Sequence, residues 1–331
     1  MLERRLIGGA ARGLAALGLH PPAARLLAAA RRRAAAAAFE RCRERARELA
    51  PGLRSGEAEA RAALDDLAES GLRSMREQVE NDAVRSGLRR GWAASLDAWW
   101  RDTRESEYLD DPSLDPSLRV QILSHLDDMN ELLGSYSSFF DRLRPYLRAG
   151  RRTRVLDLAA GHGGFVLAAA ERARAESLEL ELTASDIKRE YLELGAERAR
   201  RAGLAARFEL QDALDLTSLR PGQYDVLTCT QSLHHFRPGQ IAVMFAEAAR
   251  IADCAVLFID GARSARNAAA ILGLGLFFFR HRAFTHDALV SFRRFYVPEE
   301  LELIARLCPA GAQARAEWIA PGHCALELSK S

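Results

Sequence analysis

Apolar residues recur with helical spacing through the first half of the chain, then give way after Arg151 to short apolar runs alternating with amphipathic stretches. Leu14, Leu17, Leu26 and Leu27 fall on helical spacings, with Pro21-Pro22 breaking the stretch into two segments. Ala23 to Ala50 is rich in Ala, Arg and Glu, all strong helix formers, and Pro51-Gly52 is expected to end it. A second helical block is expected from Glu57 to Arg104. Its Trp92 and Trp99 share a helix face, with Trp100 beside them, and such a face fills a core or an interface. Asp110-Asp111-Pro112 and Asp115-Pro116 read as a turn-rich linker. Leu118 to Leu147 then reads as one helix, with Tyr136, Phe139, Phe140 and Leu143 on one side and Gly150 as its C-terminal cap.

Beyond Arg151 the pattern predicts strands at Arg154–Leu158, Leu178–Ala184, Arg207–Leu210, Tyr224–Cys229 and Ala255–Ile259. Helices are predicted between them at Phe165–Arg174, Arg189–Arg201 and Gln240–Ile251. This alternation implies an α/β fold, a parallel sheet with helices on both faces. After a helix at Pro298–Leu307, two strands around Pro321-Gly322 (Ala314–Ile319 and His323–Leu328) predict an antiparallel hairpin at the sheet's edge. Three regions follow: 1–115, a helical N-terminal region serving as lid, dimer contact or surface contact; 116–150, a helix leading into the catalytic domain; and 151–331, that domain.

Composition narrows the class. An apolar fraction of 48% and a charged fraction of 28% are those of a soluble globular protein, and a net charge of +2 exerts no strong pull toward nucleic acid. The first fifty residues carry eleven Arg against four Glu, which reads first as a solvated helix face. Lys188 and Lys330 are the only lysines, the mark of a GC-rich, bacterial genome. Cys42, Cys229, Cys254, Cys308 and Cys324 form no C-x-x-C pair and match no zinc spacing, so reduced thiols in a cytoplasmic protein are expected. No apolar run reaches the roughly 20 residues of a membrane span. Arg12 interrupts the apolar stretch that follows Arg4-Arg5, so an amphipathic helix is favoured over an export signal.

The informative stretch runs Val155-Leu156-Asp157-Leu158-Ala159-Ala160-Gly161-His162-Gly163-Gly164. It leaves the first strand, turns on small residues and enters a helix. In open α/β sheets the ligand crevice lies beyond the carboxyl ends of the strands. Asp157, at the strand tip, can accept a hydrogen bond from an ammonium group. Ala159, Gly161 and Gly164 also stand one substitution from the dinucleotide fingerprint G-x-G-x-x-G, so an NAD(P)-dependent oxidoreductase competes at this point.

Asp157, Gly161 and Gly163 together resemble motif I of class I S-adenosylmethionine-dependent methyltransferases, D/E-x-G-x-G-x-G, with Ala159 at the first Gly. Acidic residues follow each of the next two strands, Asp186 and then Asp212 in Gln211-Asp212-Ala213. Tyr224 to Phe236, with Thr230-Gln231-Ser232-Leu233-His234-His235, is similar to the fourth-strand signature of the family's small-molecule members, including those of ubiquinone and menaquinone biosynthesis. The resemblance implies a Rossmann-like seven-stranded sheet, mostly parallel with an antiparallel last strand. It implies S-adenosylmethionine as cofactor and S-adenosylhomocysteine as product. The implied cofactor contacts are Asp157, Ala159, Gly161, Gly163, Asp186, Ile187, Asp212, Ala213 and Gln231. Asp186 would grip the ribose hydroxyls and Asp212 would read the adenine amino group. Taken singly, each acidic residue has an ordinary explanation as a cap or turn residue. Their occurrence at three successive strand ends favours the family.

Methyl transfer from a sulfonium is an in-line displacement governed by proximity and orientation, so no metal is expected. His234 and His235, at the tip of the fourth strand, are the candidate catalytic residues, His235 as base or acceptor contact. Asn267 to Val297 reads as an insertion that builds an acceptor pocket, with Phe278, His286, Arg293 and Tyr296 as candidate contacts. The expected substrate is a small hydrophobic metabolite, methylated at oxygen or carbon. A homodimer through the N-terminal helices is the expected assembly. A nucleic-acid methyltransferase is disfavoured, because Thr230-Gln-Ser-Leu stands where base-amine enzymes carry N/D-P-P-aromatic. A non-catalytic scaffold would be expected to lose its acidic series first.

Overall fold

A computed structural model describes residues 21–85, 106–148, 150–264, 267, 270, 271, 273 and 282–330. Leu14, Leu17, Trp92, Trp99, Trp100 and Phe278 lie outside the described residues. Helix α1 (Pro21–Ser55) and helix α2 (Ala58–Arg85) form a hairpin. Arg33–Asp82 at 3.8 Å and Arg41 Nη2–Ser74 Oγ at 2.7 Å cross it at successive levels, so the helices run antiparallel. Pro51 does not end α1, contrary to expectation. Leu49 and Ala50 are buried just before it, and such packing outweighs the one backbone bond a proline removes.

The predicted helix over 118–147 is two helices, α3 (Pro116–Leu133) and α4 (Ser135–Leu143), separated at Gly134 (φ 72) and followed by a 3₁₀ turn at Arg144–Tyr146. Asp115 starts α3 by accepting hydrogen bonds from the N–H groups of Ser117 (2.9 Å) and Leu118 (3.1 Å). Periodicity carries across a one-residue break without registering it, which is why the pattern read as continuous.

The sheet follows as β1 (Thr153–Leu158), α5 (Gly164–Ala175), β2 (Leu180–Asp186), α6 (Arg189–Ala202), β3 (Arg207–Leu210), β4 (Tyr224–Thr230), α7 (Pro238–Ile251) and β5 (Ala252–Gly261). Then come α8 (Arg282–Arg294), α9 (Pro298–Arg306), β6 (Arg315–Ile319) and β7 (His323–Ser329). The strand order is β3-β2-β1-β4-β5-β7-β6. The first five strands pair in parallel, while β7 runs antiparallel to β5 and β6 antiparallel to β7. This is the Rossmann-like seven-stranded arrangement with the expected closing hairpin.

Alternate residues of each central strand face opposite layers. On one face Leu156, Leu227 and Phe258 pack with α7, α9 and the α1–α2 hairpin. On the other Val155, Val226 and Leu257 pack with α4 and α5, where Tyr136, Phe139, Phe140 and Leu143 are all buried. The hairpin is also tied by charge: Glu300 Oε1 lies 2.6 Å from Arg76 of α2 and 2.8 Å from Arg263 beyond β5, with Glu300 and Arg263 both buried. No helix among the described residues is long and apolar enough to cross a membrane.

Removing one member of a buried ion network leaves charge uncompensated, at a cost of about 3–5 kcal/mol. Glu300→Ala should therefore lower unfolding stability in urea by that order, while Glu48→Ala, in the exposed pair with Arg45, should change it little. Equal effects at the two positions would mean that the network does not hold the hairpin to the sheet.

Candidate functional site

The chain leaves β1 through Ala159 (φ 49), Gly161 (φ 57) and Gly163 (φ 75) before α5 begins. A Cβ on Gly163 would lie 2.7 Å from the Phe208 ring, so this position has no room for a side chain. Nothing described lies within 4 Å of a Cβ built on Gly161, which marks the open side of the turn. Ala159 holds a left-handed conformation that costs an L-residue roughly 1–2 kcal/mol. Neighbours hold the turn in place. Asp186 accepts from Gly161 N and, through its other oxygen, from Lys188 N, both at 2.8 Å. Ser232 Oγ donates to Ala159 O at 2.7 Å, and Ala160 N donates to Ser185 O at 2.8 Å.

Asp157 is buried at the end of β1, and its two oxygens accept from Thr228 Oγ1 (2.7 Å) and Thr230 Oγ1 (2.9 Å) on β4. Burial, reinforced by the nearby Asp186 charge, pushes its pKa up to about 7 despite these donors. At the tips of β2 and β3, Ile187 is 64% exposed and Leu210 55% exposed, two apolar side chains left in solvent beside the Asp186 carboxylate. Asp212 is exposed and also serves its turn, accepting from Leu214 N at 2.8 Å, while Ala213 is buried. A flat nucleoside would cover Ile187, and Asp186 keeps lone pairs beyond its two backbone partners. An open glycine, uncovered apolar side chains and a fixed carboxylate along one sheet edge suit S-adenosylmethionine.

Helix α3 lies over this turn and brings residues that motif reading missed. Asp127, buried, lies 2.9 Å from His162 Nε2 and 2.7 Å from Arg198 Nη1, and accepts from Tyr136 Oη at 2.7 Å. Burial opposes its charge, but these partners hold its pKa down at about 2. Asn130 and Gln231 exchange two amide hydrogen bonds, each 2.8 Å. Gln231 (φ 58) is thus committed to α3, and its second N–H faces His323 Nε2 at 3.3 Å.

Beyond Gln231 a cavity opens, with about 1110 Å³ of empty space that is partly open to solvent. Ile122, Met129, Ile271, Phe284 and Phe295 give it an apolar wall, and Glu107, His234, His235 and Asp260 a polar end. His234 is buried, with its side chain 6% exposed. Its Nδ1 lies 2.9 Å from Asp260 Oδ2 and its Nε2 lies 3.6 Å from Glu107 Oε1. Burial works against charge on His234, but Asp260 and then Glu107 raise its pKa above the usual histidine range. His235, with 35% of its side chain exposed, is pushed down by desolvation in the cavity wall and by the neighbouring His234.

The two histidines of the β4 tip therefore line the cavity, as does part of the segment after β5. The acceptor contacts named from sequence do not converge there. Tyr296 is in the core, donating to Phe236 O at 3.3 Å. His286 makes a tilted ring contact with Tyr108, 4.8 Å between centroids, and lies 3.1 Å from Asp287, and Arg293 is half-buried; neither is among the described lining. Tyr296 sits where the backbone bridges to Ala262, which turns its ring inward; helical spacing alone did not show that bridge.

Residues 155–253 match a family described as a methyltransferase domain. No curated protein matches the chain. Among solved structures, the S-adenosylmethionine-dependent methyltransferase SibL in its apo form aligns at 17% identity over 84% of this chain and 75% of that one, with a TM-score of 0.48. The magnesium protoporphyrin IX methyltransferase ChlM from Synechocystis PCC 6803 with bound S-adenosylhomocysteine aligns at 15% identity over 76% and 100%, with a TM-score of 0.42. The PH0226 protein from Pyrococcus horikoshii OT3 aligns at 18% identity over 59% and 91%, with a TM-score of 0.40. All three scores lie below 0.5 and carry no argument about function.

Asp186→Ala should weaken S-adenosylhomocysteine binding by about tenfold or more, the loss of a charge-assisted hydrogen bond. In the free protein Asp157 stays protonated up to about pH 7, and its raised pKa stabilises the fold below that range, an effect lost as pH rises through about 7. A bound ammonium favours the ionised form. Calorimetric affinity for S-adenosylhomocysteine should thus rise as pH passes through about 7, and Asp157→Asn should flatten the rise. A flat wild-type profile would place the ammonium elsewhere.

Proposed function

We propose that this chain, whose residues 155–253 match a methyltransferase domain, is a class I S-adenosylmethionine-dependent methyltransferase that methylates a small, largely apolar metabolite at an oxygen or an acidic carbon. One observation carries the reading. Gln231, His234 and His235, at and just beyond the end of β4, line the cavity, and Ser232 of the same segment is pinned to Ala159 in the glycine turn. Whatever fills the cavity therefore adjoins the turn assigned to the cofactor.

When bound, S-adenosylmethionine supplies a methyl group already activated on a sulfonium. The chain's own work is placement and exclusion of water. The apolar wall from α3 and α8 would hold the body of the acceptor, and the polar end would receive its reacting group. We assign His235 as the acceptor contact, because it is the more exposed of the pair. His234 is held by Asp260 and acts as a positioning residue. All five cysteines are free thiols, in keeping with the reducing cytoplasm that this reading assumes. The N-terminal hairpin adds a layer to one face of the sheet, and a dimer through it is part of the same proposal.

Titration with S-adenosylhomocysteine and, separately, with NADH is the direct test. Binding of the first alone supports methyl transfer, and binding of NADH alone would overturn it. Once a screen of apolar hydroxylated acceptors finds turnover, His235→Ala should lower kcat by about a hundredfold, the usual scale of a lost proton-transfer or orienting group. Its affinity for S-adenosylhomocysteine should stay within about twofold, since the residue is not assigned to the cofactor. Wild-type turnover would remove His235 from the role.

A further inference from the structure

The polar end of the cavity carries more donor groups than holding an apolar acceptor requires. One ligand atom each from Glu107, His234 and His235 lies within 4.8 Å of the others. The His234 Nε2–Glu107 Oε1 separation is 3.6 Å, too long for a hydrogen bond. It is close to the roughly 3.3–3.4 Å between two donors on one tetrahedral ion with bonds of about 2.0–2.1 Å.

The groups behind these three are arranged to orient them. Asp260, itself buried, accepts from the backbone N–H of His234 (2.8 Å) and of Gly261 (2.7 Å), and lies 2.9 Å from His234 Nδ1. A carboxylate at Nδ1, the partner commonly found behind a metal-bound histidine, would hold the proton there when an ion displaces the proton from Nε2, the nitrogen that faces Glu107. Asp287 accepts from Tyr108 N (2.8 Å) and Leu109 N (3.2 Å), and Ser291 Oγ donates to Glu107 Oε1 (2.8 Å), so the segment that carries Glu107 is fixed. Asp110 lies 3.8 Å from His235 Nδ1, and the facing cation is Arg294, 3.6 Å from Glu107. Among the described residues, Glu107, Asp110 and Asp260 face Arg294 around the histidines.

A second cluster of metal-ligand types, Asp225 with Asp253 and Cys254, shows the contrast. There Arg148, Arg151 and Arg154 already surround Asp225 within 3.4 Å, so no cation is called for.

We propose that Glu107, His234 and His235 bind one divalent transition-metal ion of the zinc type, oriented by Asp260 and open toward the cavity. Two imidazoles and one carboxylate are a donor set for zinc and its neighbours rather than for magnesium. The open position would take an oxygen of the acceptor, so that with the ion bound His235 would act on the acceptor through it rather than by direct contact, and that role alone rests on the methyl-transfer reading. This departs from the expectation, drawn from sequence, that no metal is needed.

The test uses the full chain, stripped with a chelator and then titrated with Zn²⁺ or Mg²⁺ by calorimetry, with bound metal counted by mass spectrometry after desalting. One zinc per chain and no retained magnesium are expected. Glu107→Gln and His235→Ala, the milder changes, should each abolish stoichiometric retention, and Asp260→Asn should weaken affinity by about 10–100-fold. Cys254→Ser should leave retention unchanged. Retention that survives Glu107→Gln and His235→Ala, or no retention by the wild type, overturns the site. Each preparation is also titrated with S-adenosylhomocysteine. A chain that binds it but no zinc loses the metal site alone. A chain that retains zinc at this site but binds no S-adenosylhomocysteine keeps the metal site and loses the methyl-transfer reading.

Discussion

The C-terminal edge of the sheet depends on holding one turn, Ala159 to Gly163, in a left-handed path that L-residues avoid. Alanine at 159 makes the constraint sharper, since a glycine would adopt that φ freely. The turn persists because it is held from different strands: Asp186 at the end of β2 takes Gly161 N, and Ser232 just after β4 takes Ala159 O. These contacts fix the backbone from opposite sides of β1, so the open face at Gly161 is a rigid feature rather than a sampled one. Preorganisation of this kind reduces the ordering cost of binding a ligand there.

The same turn fixes the helix above it. Asp127 is a buried carboxylate, tolerable only because His162 from the turn, Arg198 from α6 and Tyr136 from α4 converge on it. A methyl group at Gly164 would run into the Tyr136 hydroxyl and the Asp127 carboxylate, so the glycine makes room for that pair at the start of α5. Through Asn130, α3 also grips Gln231, whose positive φ is a second strained point on the same edge. The glycine turn and the cavity therefore share one helix. A change in how α3 sits is felt at both.

What could be read from the residues follows from what periodicity encodes. Alternation placed Leu156, Val226 and Leu257 in strands, and the buried face of α4 emerged from Tyr136, Phe139 and Phe140, because each signal lies within a few residues. The places of Asp157, Asp186 and Asp212 at or just beyond strand ends could be read because motif spacing records where strands end. Asp127, Asn130 and His162 were not found. Their meaning comes from partners far away in the chain, as in Asn130 with Gln231, and nothing local distinguishes a buried Asp on a helix from a solvated one. Tyr296 failed for the opposite reason: an aromatic in a polar-looking segment reads as a ligand contact unless the bridge that turns it into the core is known. Glu107 fell between the helical block ending at Arg104 and the linker beginning at Asp110, and its surroundings appear only once Ser291 and Arg294 stand beside it.

The Rossmann-like sheet is a scaffold that many chemistries share, so what is particular to this chain must lie in the segments added to it. Here those segments depend on one another. Glu107 can be buried only while Ser291 and Arg294 of α8 satisfy it, and the backbone around it stays in place only while Asp287 of the same helix accepts from Tyr108 and Leu109. His234 and Asp260, from the tips of β4 and β5, supply the fixed side of the cluster. Residues preceding the sheet and residues inserted after β5 must therefore dock together before the cavity has a polar end. Assembly is cooperative, because either segment alone would leave a buried carboxylate without its partners. The polar end of the cavity is thus formed where both additions meet the sheet, and its chemistry belongs to the whole chain rather than to the residues that resemble a family.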